Sequence, residues 1–227
     1  MVEPLTSLPF LSLVAASIAL VGTHFAMSHP LRAPMVRLLG KTGFMVVYSL
    51  VSLAALAWIY LAFIAVPANA PLWGGYGDAV WIVASLVTLL AMVLFAGSLI
   101  GNPALPAPGA EAAARAAPAG VFRVTRHPMM WGFALWALAH LIAAPTPRTI
   151  VVALAVGALA LVGSHLQDRK KEALMGDAWA QWEAKTSYWP KLTRIFSAGL
   201  VPWIGGIAIW LLATWWHAMD AGVWRWI

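Results

Sequence analysis

Six long stretches of this chain contain no Asp, Glu, Lys or Arg, and each is long enough to cross a lipid bilayer. A helix needs about 20 apolar residues to span the hydrocarbon core. The uncharged stretches are Pro4–Leu31, Thr42–Gly77, Ala79–Ala110, His127–Pro147, Thr149–Gln167 and Ile195–Met219. We predict an all-α polytopic membrane protein, a single domain over residues 1–227, with six transmembrane helices near residues 5–27, 42–66, 79–101, 129–144, 149–167 and 197–217.

The positive charges predict the orientation of these helices. Twelve of the 14 lysines and arginines lie in the segments that follow the first, third and fifth predicted helices. Loops rich in Lys and Arg stay in the cytoplasm, so both termini are expected outside. The net charge of +6 therefore reflects topology and not nucleic-acid binding, and the expected partner is the bilayer. No Lys or Arg precedes Arg32, whereas a signal peptide has a basic start, so we expect the first helix to be retained.

Two segments outside the predicted spans have their own patterns. Asn102–Gly120 is rich in Ala, Pro and Gly and predicts a mobile connecting loop. Arg169–Trp189 predicts one amphipathic helix on the inner membrane face, either a plain surface helix or a lid over a cofactor. Its apolar residues at helical spacing are Leu174, Met175, Ala178, Trp179 and Trp182.

The residue types that are missing exclude several kinds of site. The chain has no cysteine, which excludes disulfides, thiolate ligands, iron–sulfur clusters and covalently attached c-type haem. The predicted spans contain no Asp or Glu. Paired intramembrane carboxylates, as a proton pump would use, are therefore not expected.

Histidines in membrane spans are functional candidates, because protonatable groups are costly in hydrocarbon. The predicted topology sorts five of them into two layers. The inner layer holds His24, His127 and His165, and the outer layer holds His140 and His217. His127 and His140 are separated by about 20 Å of helix and so cannot bind the same metal.

A b-type haem held between two helices needs two imidazoles at one depth. His24 and His127 meet this condition and are the candidate axial ligands. His165 could replace either, although its place beside Gln167 and Asp168 at a helix exit favours a solvated or hydrogen-bonded role.

The residues around His127 suit such a site. Pro128 favours the first helical turn, which puts His127 near the N-cap, where the helix dipole favours the neutral imidazole that binds metals. Arg123 and Arg126 could pair with haem propionates, and Trp131 could wall the site.

Each histidine also has a simpler interpretation. His127 could cap its helix by bonding a backbone carbonyl, and His24 could bond a neighbouring helix. His140 could contact a quinone or another substrate in the outer leaflet, or form a hydrogen bond between helices.

The run Arg123-Val-Thr-Arg-His-Pro-Met-Met-Trp-Gly-Phe-Ala-Leu-Trp-Ala-Leu-Ala-His140 resembles the signature of the NnrU family of bacterial membrane proteins. The resemblance extends from His24 to Asp168-Arg-Lys and Trp182, nearly the whole chain. It implies an inner-membrane protein that supports denitrification, the reduction of nitrite and nitric oxide. The same superfamily contains the plastid 15-cis-zeta-carotene isomerases, which bind haem b through histidines, and the matching residues here are His24 and His127.

A second resemblance points to a different chemistry. Arg126-His127-Pro128-x-x-x-Gly132 is similar to the isoprenylcysteine carboxyl methyltransferases, which bind S-adenosylmethionine. No acidic residue follows Gly132 within the predicted helix, where those enzymes commonly carry one. Four functions stay open: haem-binding support of denitrification, haem-dependent isomerisation of a hydrophobic polyene, non-catalytic assembly of denitrification enzymes, and methyl transfer.

Overall fold

The computed structural model describes residues 5–73, 77–217 and 221–226. Eight α-helices occur in these ranges, joined by three short 3-10 segments at Gly120–Arg123, Leu192–Ala198 and Gly222–Trp226. The helices are α1 (Leu8–Ser28), α2 (Arg32–Ala65), α3 (Asp78–Gly97), α4 (Ala110–Arg115), α5 (Pro128–Ala143), α6 (Pro147–Met175), α7 (Asp177–Lys185) and α8 (Leu200–Trp216). The described ranges contain no strand, which confirms the all-α prediction.

Helix length and composition identify four to five candidate membrane spans. The helices α1, α2, α3 and α6 are each long and apolar enough to cross a bilayer. The segment Leu192–Ala198 and α8 add a fifth span if the pair, bent by 102°, counts as one. The apolar helix α5 has 16 residues, or about 24 Å, which is shorter than a hydrocarbon core of about 30 Å. The six-span count and the outside termini stay predictions.

The helix α2 begins ten residues earlier than predicted, at Arg32 instead of residue 42. Arg and Lys favour helix as strongly as most apolar residues do, so charges mark a membrane boundary without ending a helix. The actual break is at Gly40, whose φ of 71° and ψ of 171° lie outside the helical region. Glycine tolerates this positive φ because it has no Cβ.

The prediction of one amphipathic helix over Arg169–Trp189 is wrong. The first residues of this range continue α6 to Met175, and a separate helix α7 follows Gly176, whose φ is 52°. The apolar face of α7 also packs on protein and not on lipid. Trp179 and Trp182 are 0% and 2% exposed and belong to a core cluster with Val121 and Phe122.

The expectation of a plain connecting loop at Asn102–Gly120 is also wrong, because this segment contains α4, which contacts α7. Arg115 forms ion pairs with Asp177 at 2.9 Å and with Glu111 at 3.2 Å. Lys185 Nζ donates to the Arg115 carbonyl at 2.7 Å. Asp177 and Lys185 on α7 thus join the connecting segment to α7 through Arg115.

The long helices pack in the order α2, α1, α6, α5, α3, α8, each on the next. We call the end of this bundle that carries Arg32, Arg126 and Lys170 the basic end, and the end that carries His140 and His217 the opposite end. Many large apolar side chains on the outside of the bundle are exposed, including Leu53, Leu86 and Leu212. Exposed apolar surface on this scale indicates a lipid environment.

The contact between α3 and α8 requires a glycine. A Cβ added to Gly206 would lie 2.6 Å from Val93 Cα and 2.7 Å from Val93 N, which are backbone atoms that cannot rotate away. The neighbouring Gly205 would place its Cβ at an ordinary 3.4 Å from Ala96 Cβ. Only one of the two adjacent glycines is therefore required by packing.

We expect Gly206→Ala to lower stability by about 1–3 kcal/mol, the usual effect of overpacking a close helix contact. Gly205→Ala is the matched control and should change stability by less than about 1 kcal/mol. The midpoint of thermal unfolding in detergent micelles measures both. Equal midpoints for the two variants would contradict the close approach of α3 and α8.

Candidate functional site

A buried ion pair between Arg126 and Asp168 lies at the basic end, where α5 begins and α6 leaves the apolar part of the bundle. Arg126 Nη2 lies 2.7 Å from Asp168 Oδ2, and Arg126 Nε donates to the same oxygen at 3.0 Å. The two side chains are only 14% and 6% exposed. These two charge-assisted hydrogen bonds converge on one carboxylate oxygen, and Nε also lies 3.2 Å from Oδ1, so the guanidinium is held against the carboxylate by several contacts.

His127 lies on the other side of the Asp168 carboxylate, and its side chain is fully buried. Its Nε2 is 2.9 Å from Asp168 Oδ1, although the approach is not aligned as a hydrogen bond. Its Nδ1 lies 3.3 Å from Gln167 Oε1. Both ring nitrogens therefore face side-chain oxygens of α6. As predicted, His127 is the N-cap residue of α5, with Pro128 in the first turn.

Glu183 on α7 adds a second carboxylate to this group. Its Oε1 lies 3.1 Å from Arg126 Nη2, so Arg126 is shared between two acids. Partial burial raises the pKa of Glu183, the Asp168 carboxylate raises it further, and the Arg126 guanidinium opposes both effects. We call Arg126, His127, Asp168 and Glu183 the polar cluster.

Backbone pairing holds the turn before α5 against the segment after α7. Arg126 N donates to Ser187 O at 2.8 Å, and Lys191 N donates to Val124 O at 2.9 Å. The buried Thr125 hydroxyl donates to Tyr188 O at 2.8 Å. The position of Arg126 is therefore set by main-chain contacts on both sides.

Aromatic rings close the polar cluster from the side of the 188–189 segment. The Tyr188 ring lies 5.3 Å from Arg126 Cζ and packs edge-on against the His127 ring, 5.6 Å between centroids. Trp131 Nε1 donates to Tyr188 O at 2.9 Å, and its ring packs on Trp189. Trp131 thus contacts the polar cluster through Tyr188, and its place beside a haem stays a prediction.

Two of the candidate residues lie outside this cluster. Arg123 is exposed, and its Nε donates to Pro118 O at 3.4 Å. His165 is exposed on α6. Neither belongs to the polar cluster.

His24 lies on α1, which packs on α2 and α6, whereas α5 packs on α3 and α6. The helix α6 therefore lies between the two predicted haem ligands. The His24 ring contacts Tyr48 with centroids 5.1 Å apart, and its buried Nδ1 has no well-aligned hydrogen-bond partner among the described residues, although the Leu20 backbone one turn earlier lies near the ring.

The two predicted haem ligands, His24 and His127, differ in whether a ring nitrogen is free to bind iron. An axial ligand must point a free ring nitrogen at the iron. The unpaired Nδ1 of His24 satisfies this requirement. His127 does not, because Asp168 lies 2.9 Å from Nε2 and Gln167 lies 3.3 Å from Nδ1. The described arrangement therefore does not fit a haem held by both histidines.

The polar cluster contains Arg126 and His127 from the sequence signature, followed there by Pro128, and the downstream Asp168. The family described as NnrU protein matches residues 12–225. The chain belongs to the NnrU family. No curated protein and no solved structure matches it. In this NnrU family member, the match covers every residue of the polar cluster.

Three features of the site are not predicted from the sequence: Glu183, Tyr188 and the role of Asp168 as the partner of Arg126. A signal for Asp168 was present, because it is the first charged residue after the uncharged stretch Thr149–Gln167 and lies on the same predicted side as Arg126. A buried arginine requires a nearby acid. Tyr188 offers no such signal, since its place depends on how the segment after α7 folds back.

Removing Asp168 should destabilise the protein strongly, because Arg126 would keep its charge without its main partner. We expect Asp168→Ala to cost about 3 kcal/mol, and the double variant Arg126→Met with Asp168→Leu to recover a large part of this loss. Unfolding in detergent measured by circular dichroism reports both values.

The control is Glu111→Ala, which removes the exposed Arg115–Glu111 pair on α4, outside the polar cluster. Exposed pairs contribute less than about 1 kcal/mol. If Asp168→Ala and Glu111→Ala lowered stability equally, the Arg126–Asp168 pair would not be the main stabilising interaction at this end.

Proposed function

We propose that this protein supports denitrification from the bacterial inner membrane, as the NnrU resemblance implies, and that the polar cluster is its functional site. The observation that carries the proposal is the burial of His127 against Asp168. The side chains of these two residues are 0% and 6% exposed and lie 2.9 Å from each other, at the basic end of a largely apolar bundle. Buried ionisable groups in a membrane protein are costly and mark functional positions.

The chemistry available to the cluster is proton exchange. His127 Nε2 lies 2.9 Å from Asp168 Oδ1, so a rotation of the imidazole that aligned the two atoms would allow proton exchange, and Arg126 stabilises the carboxylate from the other side. Glu183, which is 26% exposed, connects this pair with the surface at the basic end. A denitrification enzyme that docks there would meet a basic surface with one acidic connection to the interior.

Haem b stays the predicted cofactor. His24 offers a buried nitrogen without a hydrogen-bond partner, which supports it as a ligand. For His127, ligation would require that its ring leave Asp168 and Gln167. A haem-dependent isomerase activity on a hydrophobic polyene would rest on the same cofactor.

Deletion of the gene in a denitrifying bacterium should slow nitrite or nitric oxide consumption under anaerobic conditions. We expect the wild-type gene and His165→Ala to restore consumption, and His127→Ala and Asp168→Asn to fail. His165 is the control because it is exposed at the same end and lies outside the cluster. Immunoblots of the membranes show that all variants are present. Full restoration by His127→Ala would overturn the role of the cluster.

Absorption spectroscopy of the purified protein tests the cofactor separately. Protein from haem-sufficient cells should show a Soret band and a sharp α band after reduction, both weakened in His24→Ala and unchanged in His165→Ala. A colourless wild-type protein would overturn the haem prediction. A colourless protein would not bear on the denitrification role, which the gene deletion tests.

A further inference from the structure

A cavity of about 130 Å³ lies at the opposite end of the bundle, between α3, α5 and α8. Three indoles, a thioether and two imidazoles form much of its wall: Trp81, Trp136, Trp210, Met92, His140 and His217. Among the residues that the structure describes, none that lines the cavity carries a carboxylate, ammonium or guanidinium group. The polar cluster at the basic end is therefore a different site.

The two imidazoles of this cavity are held in the same way. His140 Nδ1 lies 2.8 Å from Trp136 O, and His217 Nδ1 lies 2.7 Å from Ala213 O, in each case the carbonyl four residues earlier. A carbonyl oxygen only accepts hydrogen bonds, so both Nδ1 atoms must carry the proton. In the neutral imidazole the lone pair is then on Nε2.

The lone pairs on both Nε2 atoms are available to a ligand. Neither Nε2 hydrogen-bonds to any residue in the described part of the chain, and the two ring centroids are 6.1 Å apart. The threonine hydroxyls of the wall are already used. Thr88 accepts from Trp210 Nε1 at 3.0 Å, and Thr214 donates to Trp210 O at 2.7 Å. The wall is thus fixed, and it presents two hydrogen-bond acceptors.

The uncharged lining favours a neutral ligand over a metal ion. A cation bound here would have two neutral ligands and no carboxylate to balance its charge in an apolar environment. No group of three or more metal-binding side chains occurs within the described ranges. A neutral ligand that donates hydrogen bonds matches the two imidazoles without this cost.

The size and the walls of the cavity favour a single aromatic ring. An apolar cavity of about 150 Å³ is known to accept benzene. Indole walls suit an aromatic ligand through edge-to-face contacts. We propose that this cavity binds a single-ring phenol or hydroquinone, whose hydroxyl group donates a hydrogen bond to Nε2 of His140 or His217.

Fluorine NMR on the protein in detergent micelles tests this proposal with two matched probes. 4-Fluorophenol has the ring and the donor, whereas 4-fluoroanisole has the ring without the donor. We expect 4-fluorophenol to bind about tenfold more tightly, because one hydrogen bond of ordinary strength corresponds to that factor. Equal affinities would overturn the proposed recognition by histidine.

Variants separate the hydrogen bond from the cavity itself. His140→Leu should weaken 4-fluorophenol about tenfold and leave 4-fluoroanisole unchanged, and His217→Leu gives the same test on an exposed residue if the first variant does not fold. Ala139→Leu adds a side chain at the cavity wall and should abolish both. His165→Leu is the control. Unchanged binding by Ala139→Leu would show that the probes only partition into the micelle and would overturn the proposal.

Two further ligands distinguish the sources of this chemistry. A hydroquinone with a decyl tail tests whether a lipid-soluble molecule enters the cavity, and para-cresol tests a water-soluble one. Binding of either supports the proposal, and binding of neither overturns it. Stabilisation by Zn²⁺ that His140→Leu abolishes would identify a metal site instead and would also overturn it.

Discussion

The buried ion pair between Arg126 and Asp168 is the interaction on which the basic end of the bundle depends. It joins the turn before α5 to α6, and the second contact of Arg126, with Glu183, adds α7. Because a buried charge without a partner is strongly unfavourable, these elements cannot move independently without exposing Arg126 or breaking the pair. The orientation of His127, which contacts the same carboxylate, follows from this constraint.

Much of the fold could be predicted because the membrane limits the choices. A stretch without charges must be helical in lipid, and α1, α3 and α5 follow that expectation closely. The ends of α2 and α6 could not be predicted in this way, since Arg32 and Lys170 continue a helix as well as leucine does. The amphipathic helix expected over Arg169–Trp189 is divided at Gly176, where a single positive φ ends α6 before α7 begins.

The site could be predicted only in part, for a different physical reason. Depth along a helix follows from sequence position, so His127 and Asp168 could be assigned to one end of the bundle. Rotation about the helix axis and the order of helix packing do not follow from depth. His24 and His127 are predicted to share a depth, but α6 lies between their helices, and Asp168 on that helix contacts His127. A common depth is therefore necessary for joint ligation but not sufficient.

The two ends of the bundle use histidine in opposite ways. At the basic end, His127 faces a carboxylate and an amide, so its nitrogens serve the internal polar contacts. At the opposite end, His140 and His217 each use a backbone carbonyl of their own helix, which fixes Nδ1 as the donor and leaves Nε2 free. A carbonyl at position i−4 is present in every helix, whereas a carboxylate at α6 is specific to this fold. His140 and His217 therefore bond within their own helices and keep an acceptor for a ligand, whereas both nitrogens of His127 face side chains of α6.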